Sequence, residues 1–159
     1  MRDSLLCTYV LVVDLRLRDK LWEMKLTGKE ADRDLYDIVL AICASQKAAH
    51  SVARLLTRME VTSSLHKKKT LSWLLRGYIK GGHFDDAAET VIKMLDLGLF
   101  PEYLDRAAVL QGLRQRIQQS GNVENYLKLC KHLSDANLIG PCLVYMHIKT
   151  YKLWIIKMI

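Results

Sequence analysis

Lys69, Ser72, Arg76 and Lys80 recur at i, i+3, i+7 and i+11, so on a helix they share one face. A row of cations with a hydroxyl between them suits a polyanion. It can follow a phosphate backbone and release the counterions held there. His66, Lys67 and Lys68 lead into this stripe, and Arg114, three residues after Gln111, extends the same kind of face further along the chain. Asp34, Asp37 and Ala41 hold the equivalent places one segment earlier, so a phosphate track should weaken towards the N-terminus. Arg114 belongs with Arg116, Lys128, Lys131 and His132 to a second basic set, of which the last three fall on the second helix of their hairpin and read as solvated surface. The overall balance agrees with a polyanionic partner: 24 Lys and Arg against 17 Asp and Glu leave a net charge of +7. Residues 103–159 carry 8 basic and 3 acidic groups, so the excess lies mostly there.

Nothing in the sequence assembles a catalytic centre. There is no G-x-S-x-G, H-E-x-x-H, phosphate-binding P-loop or G-x-G-x-x-G. His50, His66, His83, His132 and His147 lack metal-ligand spacing, and Cys7, Cys43, Cys130 and Cys142 form no C-x-x-C. Scattered thiols of this kind read as small hydrophobes in a reducing compartment. Asp85 and Asp86 are explained by a helix N-terminus, where negative charge opposes the dipole. The expectation is a non-enzyme with no metal and no cofactor. Membrane insertion is not expected either, because the longest uncharged runs, 4–13 and 136–148, fall well short of about 20 apolar residues.

The elements that position the stripe are helices. Half of the 159 residues are hydrophobic, with only 2 Pro and 8 Gly, which favours an all-α fold over a turn-rich β-sandwich. Leu71, Leu74, Leu75 and Tyr78 line one side of a helix that Gly81-Gly82 breaks. Phe84, Ala88, Val91 and Leu95 line a second, stopped by Gly98 and Pro101. Thirty-five residues earlier, Tyr36, Val39, Leu40 and Cys43 reproduce the first stripe, and Leu56 and Met59 answer Val91 and Met94. A further step back places Leu21, Met24 and Gly28 in register. Thirty-five residues forward lie Arg106, Val109, Leu110 and Leu113, with Gly112 beneath Gly77. After four extra residues around 118–121 the second stripe returns as Val123, Leu127, Cys130 and Leu133. Trp22 and Trp73 lie beside these stripes and read as packing residues. Hairpins with two apolar faces must stack to bury both, which makes a helical solenoid with the leading helices on its inner wall.

The run LSWLLRGYIKGGHFDDAAETVIKMLDLGLFPE at 71–102 resembles a pentatricopeptide repeat. Leu74, Leu75, Gly77, Tyr78, Lys80 and Gly82 match its first helix. Ala88 and Met94 match the second, and Gly98, Pro101 and Glu102 match its closing turn. The resemblance divides the chain into a partial repeat at 1–32, a degenerate one at 33–67, the best match at 68–102, a degenerate one with an insertion at 103–139, and a segment at 140–159. It marks the chain as an excerpt or short isoform of a longer array. It implies a right-handed α-solenoid of antiparallel hairpins and single-stranded RNA as partner, a mitochondrial transcript or ribosomal RNA. The implied role is mitochondrial RNA processing, stability or translation. It further implies that bases are read by the fifth and last residues of each repeat, here Asp37 with Lys67 and Ser72 with Glu102. Neither pair is a well-understood selecting combination, and Ala107 at the next fifth position has no hydrogen-bonding group, so backbone binding is expected instead. The candidate RNA contacts are Lys69, Ser72, Arg76, Lys80, Glu102 and Arg114. A scaffold role, in a mitochondrial ribosome or an RNA-processing complex with other proteins, is the alternative. The apolar run at 143–159 either caps the last hairpin, docks on a partner, or lies on an anionic membrane surface.

Overall fold

The structure, a computed structural model of the chain, describes residues 33–59 and 64–139, together with Asp19, Glu23 and Thr27. Six helices lie between residues 33 and 139: α1 (Arg33–Ser45), α2 (Ala49–Arg58), α3 (Ser64–Gly81), α4 (Phe84–Asp96), α5 (Tyr103–Ser120) and α6 (Glu124–Asp135). No strand occurs among the described residues. The fold is therefore helical, as composition and periodicity led one to expect. The register of Leu21, Met24 and Gly28, and the expected partial repeat at 1–32, lie outside the described residues, as does the segment at 140–159. The chain divides into two compact units at Gly81/Gly82.

Left-handed residues punctuate the helices at recurring places. Gly82 (φ 75) follows α3 and Gly121 (φ 71) follows α5, while Lys47 (φ 58) takes the matching position after α1. Gly98 (φ 69) follows α4, and Asn137 (φ 57) follows α6. Glycine meets this backbone without penalty and asparagine tolerates it, whereas a lysine there costs about 1 kcal/mol. The residues around 118–121 are taken up as a further turn of α5 that ends in Gly121. Helix α4 begins with Asp85 and Asp86 in its first turn, and α6 begins where Asn122 Oδ1 accepts the Glu124 N–H at 3.0 Å.

In the first unit α1 packs on both α2 and α3. Its core is Val39, Leu40, Cys43 and Ala44 of α1, Val52 and Met59, and Leu71, Leu74 and Leu75 of α3. Leu40 and Leu75 are wholly buried, each a gain of about 2 kcal/mol over an exposed side chain. Tyr78 and Leu56, expected in the stripes, are only half-buried, as is Trp73. Gly77 explains how close the two leading helices come: a Cβ there would run into the Ala41 carbonyl and lie 2.8 Å from the Ala41 Cα. With Asp34 beside Lys69 near one end and Ala41 beside Gly77 further along, α1 and α3 run parallel.

In the second unit α4 packs on α5 and α6, and α5 on α6. Ala87, Ala88, Val91 and Met94 meet Val109, Leu113, Ile117, Tyr126, Leu129, Cys130 and Leu133 in its core. The buried face of α4 is wider than a single stripe, since Ala87 and Thr90 join it. The same widening recurs 39 residues on, where Tyr126 and Leu129 are buried while Val123 and Leu127 are half-exposed. A helix covered from two sides buries a broader arc than one covered from a single side.

Candidate nucleic-acid interface

Helix α3 carries Lys69, Ser72, Arg76 and Lys80 on one face, with Leu71, Leu74 and Leu75 turned into the core on the other. Lys69, Arg76 and Lys80 are exposed and Ser72 is half-buried. Lys67 and Lys68, at the start of the described part of this helix surface, are half-buried. Four of the six candidate residues thus stand together on one helix of the first unit. Lys69 is not an open cation. Its Nζ lies 2.5 Å from Asp34 Oδ1 on the parallel helix α1, with both side chains about half exposed. A solvated pair of this kind contributes about 0–1 kcal/mol, so its larger effect is to cancel charge on the wall.

The equivalent positions on α1 differ from expectation. Asp37, read from the sequence as a wall residue and as half of a base-reading pair, is fully buried. Its Oδ1 accepts the Thr70 hydroxyl at 2.8 Å, and Arg33 Nη2 donates to Thr70 Oγ1 at 3.4 Å and to the Met59 carbonyl at 3.5 Å. Asp37 Oδ2 and Arg33 Nε are buried as well, each without a hydrogen-bond partner. The next leading helix covers this carboxylate. It is thereby withdrawn from the solvent-facing wall. Arg33 stands four residues before Asp37 in the sequence, but that Thr70 of α3 meets it follows from the parallel neighbour and not from helical periodicity.

The other two candidates belong to the second unit. Glu102 is exposed at the N-cap position of α5 and makes no capping bond there. Arg114 is exposed as a residue, yet its Nε donates to the Tyr126 hydroxyl at 3.1 Å and its guanidinium lies 5.8 Å from the ring centroid. Burial pushes the Tyr126 phenol up to about 12 despite the opposing pull of Arg114. Burial likewise raises the Cys130 thiol, keeping it in the unreactive protonated form. Arg116, from the second basic set, pairs with Asp85, whose other oxygen accepts Asn125 Nδ2 at 2.9 Å. Arg114 and Arg116 of α5 are thereby engaged within their own unit. Among the described residues no group of His, Cys, Asp and Glu is placed to hold a metal ion. No described helix is long and apolar enough to cross a membrane.

Over 139 residues, 87% of its length, the chain is 63% identical to a chloroplastic pentatricopeptide repeat-containing protein of Arabidopsis thaliana. The chain spans 28% of the length of that relative. No family model matches it, and no solved structure does. The relative corrects one expectation outright. It is chloroplastic, and so points to a plastid where the family resemblance had implied a mitochondrion. No residue pattern in the chain separates the two organelles.

Proposed function

We propose, on the premise that this chain belongs to the pentatricopeptide repeat family, that it is an RNA-binding segment of a helical-repeat protein acting on plastid transcripts. Its leading helices line a right-handed solenoid, and it serves RNA processing, stability or translation there. The observation that carries this reading is the exposed stripe on α3, where Arg76 and Lys80 flank the Ser72 face opposite a buried core. Contact is made to the phosphate backbone rather than to base edges. Asp37 is withdrawn from solvent and Ala107 offers no hydrogen bond, so two of the three fifth positions carry no sequence information. Lys69 joins when a phosphate displaces Asp34, and Glu102 and Arg114 take part less, the first by its charge and the second by its bond to Tyr126.

Filter binding of a single-stranded RNA at several salt concentrations tests it. Reversing two phosphate-contacting charges, in the double variant Arg76→Glu, Lys80→Glu, should lower the slope of log affinity against log salt by at least about 1.4. An unchanged slope in a folded variant removes the mechanism. The second reading is a protein–protein scaffold within a ribosome or RNA-processing complex. The neutralised Lys69 favours it, since its pairing with Asp34 reduces the wall's capacity for RNA. Absence of RNA binding at low salt in the unaltered chain selects it.

A further inference from the structure

Asp37 uses only half of its carboxylate on the chain. Oδ1 accepts the Thr70 hydroxyl at 2.8 Å, and no donor of the chain reaches Oδ2, although Asp37 is fully buried and Thr70 is 2% exposed. Arg33, one turn earlier on α1, shows the complementary pattern. Its Nη2 donates to Thr70 Oγ1 at 3.4 Å and to the Met59 carbonyl at 3.5 Å, both at the long end for a hydrogen bond. Its buried Nε–H meets no acceptor of the chain. A donor and an acceptor are thus left over at one α1–α3 interface, and they do not bond to each other. Such groups are rare in folded proteins, because each has given up its hydration without replacement.

The Thr70 hydroxyl shows what can join the two. It accepts from the guanidinium and donates to the carboxylate, so a single small group bridges Arg33 to Asp37 through Nη2 and Oδ1. In a guanidinium the Nε–H and Nη2–H bonds run parallel, as two prongs of one fork. The second prong therefore points to the same side as the first, towards the carboxylate whose other oxygen is unmatched. Whatever sits between them must both accept and donate, as the hydroxyl does. The guanidinium repels a cation and the carboxylate repels an anion, so charge selects a neutral molecule. Water is the smallest that qualifies, and it is the usual partner of buried polar groups that the fold leaves over. One turn beyond Asp37 the helices close on each other where Gly77 meets Ala41, which seals that end of the interface.

We propose that the α1–α3 interface is a binding site for one internal water molecule, which accepts from Arg33 Nε–H and donates to Asp37 Oδ2. The Met59 carbonyl, engaged by Arg33 only at 3.5 Å, is available to its second hydrogen. The water completes a ring in which guanidinium, hydroxyl and carboxylate each use the groups they bury. It makes the polar contact between the two leading helices a shared network rather than a row of separate bonds. The site is independent of whether the α3 stripe binds RNA.

NMR of the full, unaltered chain tests it. Once the Arg33 Nε–H is assigned, its proton should show a cross-peak to the water resonance with opposite signs in NOE and ROE spectra. That reversal marks a water held in place, whereas proton exchange gives the same sign in both. Absence of the reversed cross-peak overturns the proposal. Oxygen-17 relaxation dispersion of the solvent gives a second reading. The double variant Arg33→Met, Asp37→Leu removes both partners and puts apolar atoms in their place. With its helical circular dichroism retained, it should lose the amplitude of one long-lived water, and an undiminished amplitude would count against the site. A crystal structure with Arg33 Nε donating directly to Asp37 Oδ2 would equally overturn it, since nothing would remain for the water to join.

Discussion

Gly77 of α3 and Gly112 of α5 occupy matching positions, yet they meet different things. Gly77 lies against the backbone of α1 at Ala41, which has no way to retreat. Gly112 lies against the ring of Phe84, a side chain that can turn aside. The polar contacts divide along the same line. In the first unit Asp37, Thr70 and Arg33 meet inside the interface, with Asp37 fully buried. In the second, Asp85, Arg116 and Asn125 meet at the rim, where solvent shares the work. One repeat design can thus be tightened on backbone and buried polar groups, or loosened onto side chains and a wet edge. The difference lies in what the neighbouring helix brings, and the glycine alone does not reveal it.

The largest effect should come from Gly77→Ala. Forcing a methyl into the α1 backbone should cost about 3 kcal/mol in urea unfolding, with amide protection lost from α1 and α3. Asp37→Ala should follow at about 2 kcal/mol, because it strands the buried Thr70 hydroxyl that donates to it. Gly112→Ala should cost least, about 1 kcal/mol, with Phe84 rotating and the loss of protection confined to α4 and α5. A Gly112→Ala penalty equal to that of Gly77→Ala would break the contrast. A mild Gly77→Ala would break it from the other side.

Much of this was legible in sequence because hydrophobic spacing and glycine placement obey local rules. The stripes Leu71, Leu74, Leu75 and Val39, Leu40, Cys43 are buried, and Gly82, Gly98 and Gly121 stand at left-handed turns. Lys47 and Asn137 hold the same backbone conformation without glycine, so composition gave little sign of them. Tyr126 and Leu129 were missed because a stripe read at one width does not reveal a second covering helix. Asp37 was misread for a related reason. Helical periodicity says which residues share a face, but a parallel neighbour decides whether that face meets water. The candidate site was accordingly legible as a stripe on α3, whereas the tie of Lys69 to Asp34 and of Arg114 to Tyr126 depends on residues distant in sequence or on another helix.

The lengthened end of α5 carries a rule for how such modules can vary. Four residues advance a helix by about 400°, one revolution and a small remainder, so the lengthened α5 releases the chain at Gly121 on nearly the side from which it would have left four residues earlier. Two residues inserted at the same place would swing everything downstream by about 200° and turn the apolar side of α6 outward. Length changes in these modules are therefore tolerated in whole revolutions, a quantum set by the pitch of the helix rather than by the chemistry of the inserted residues.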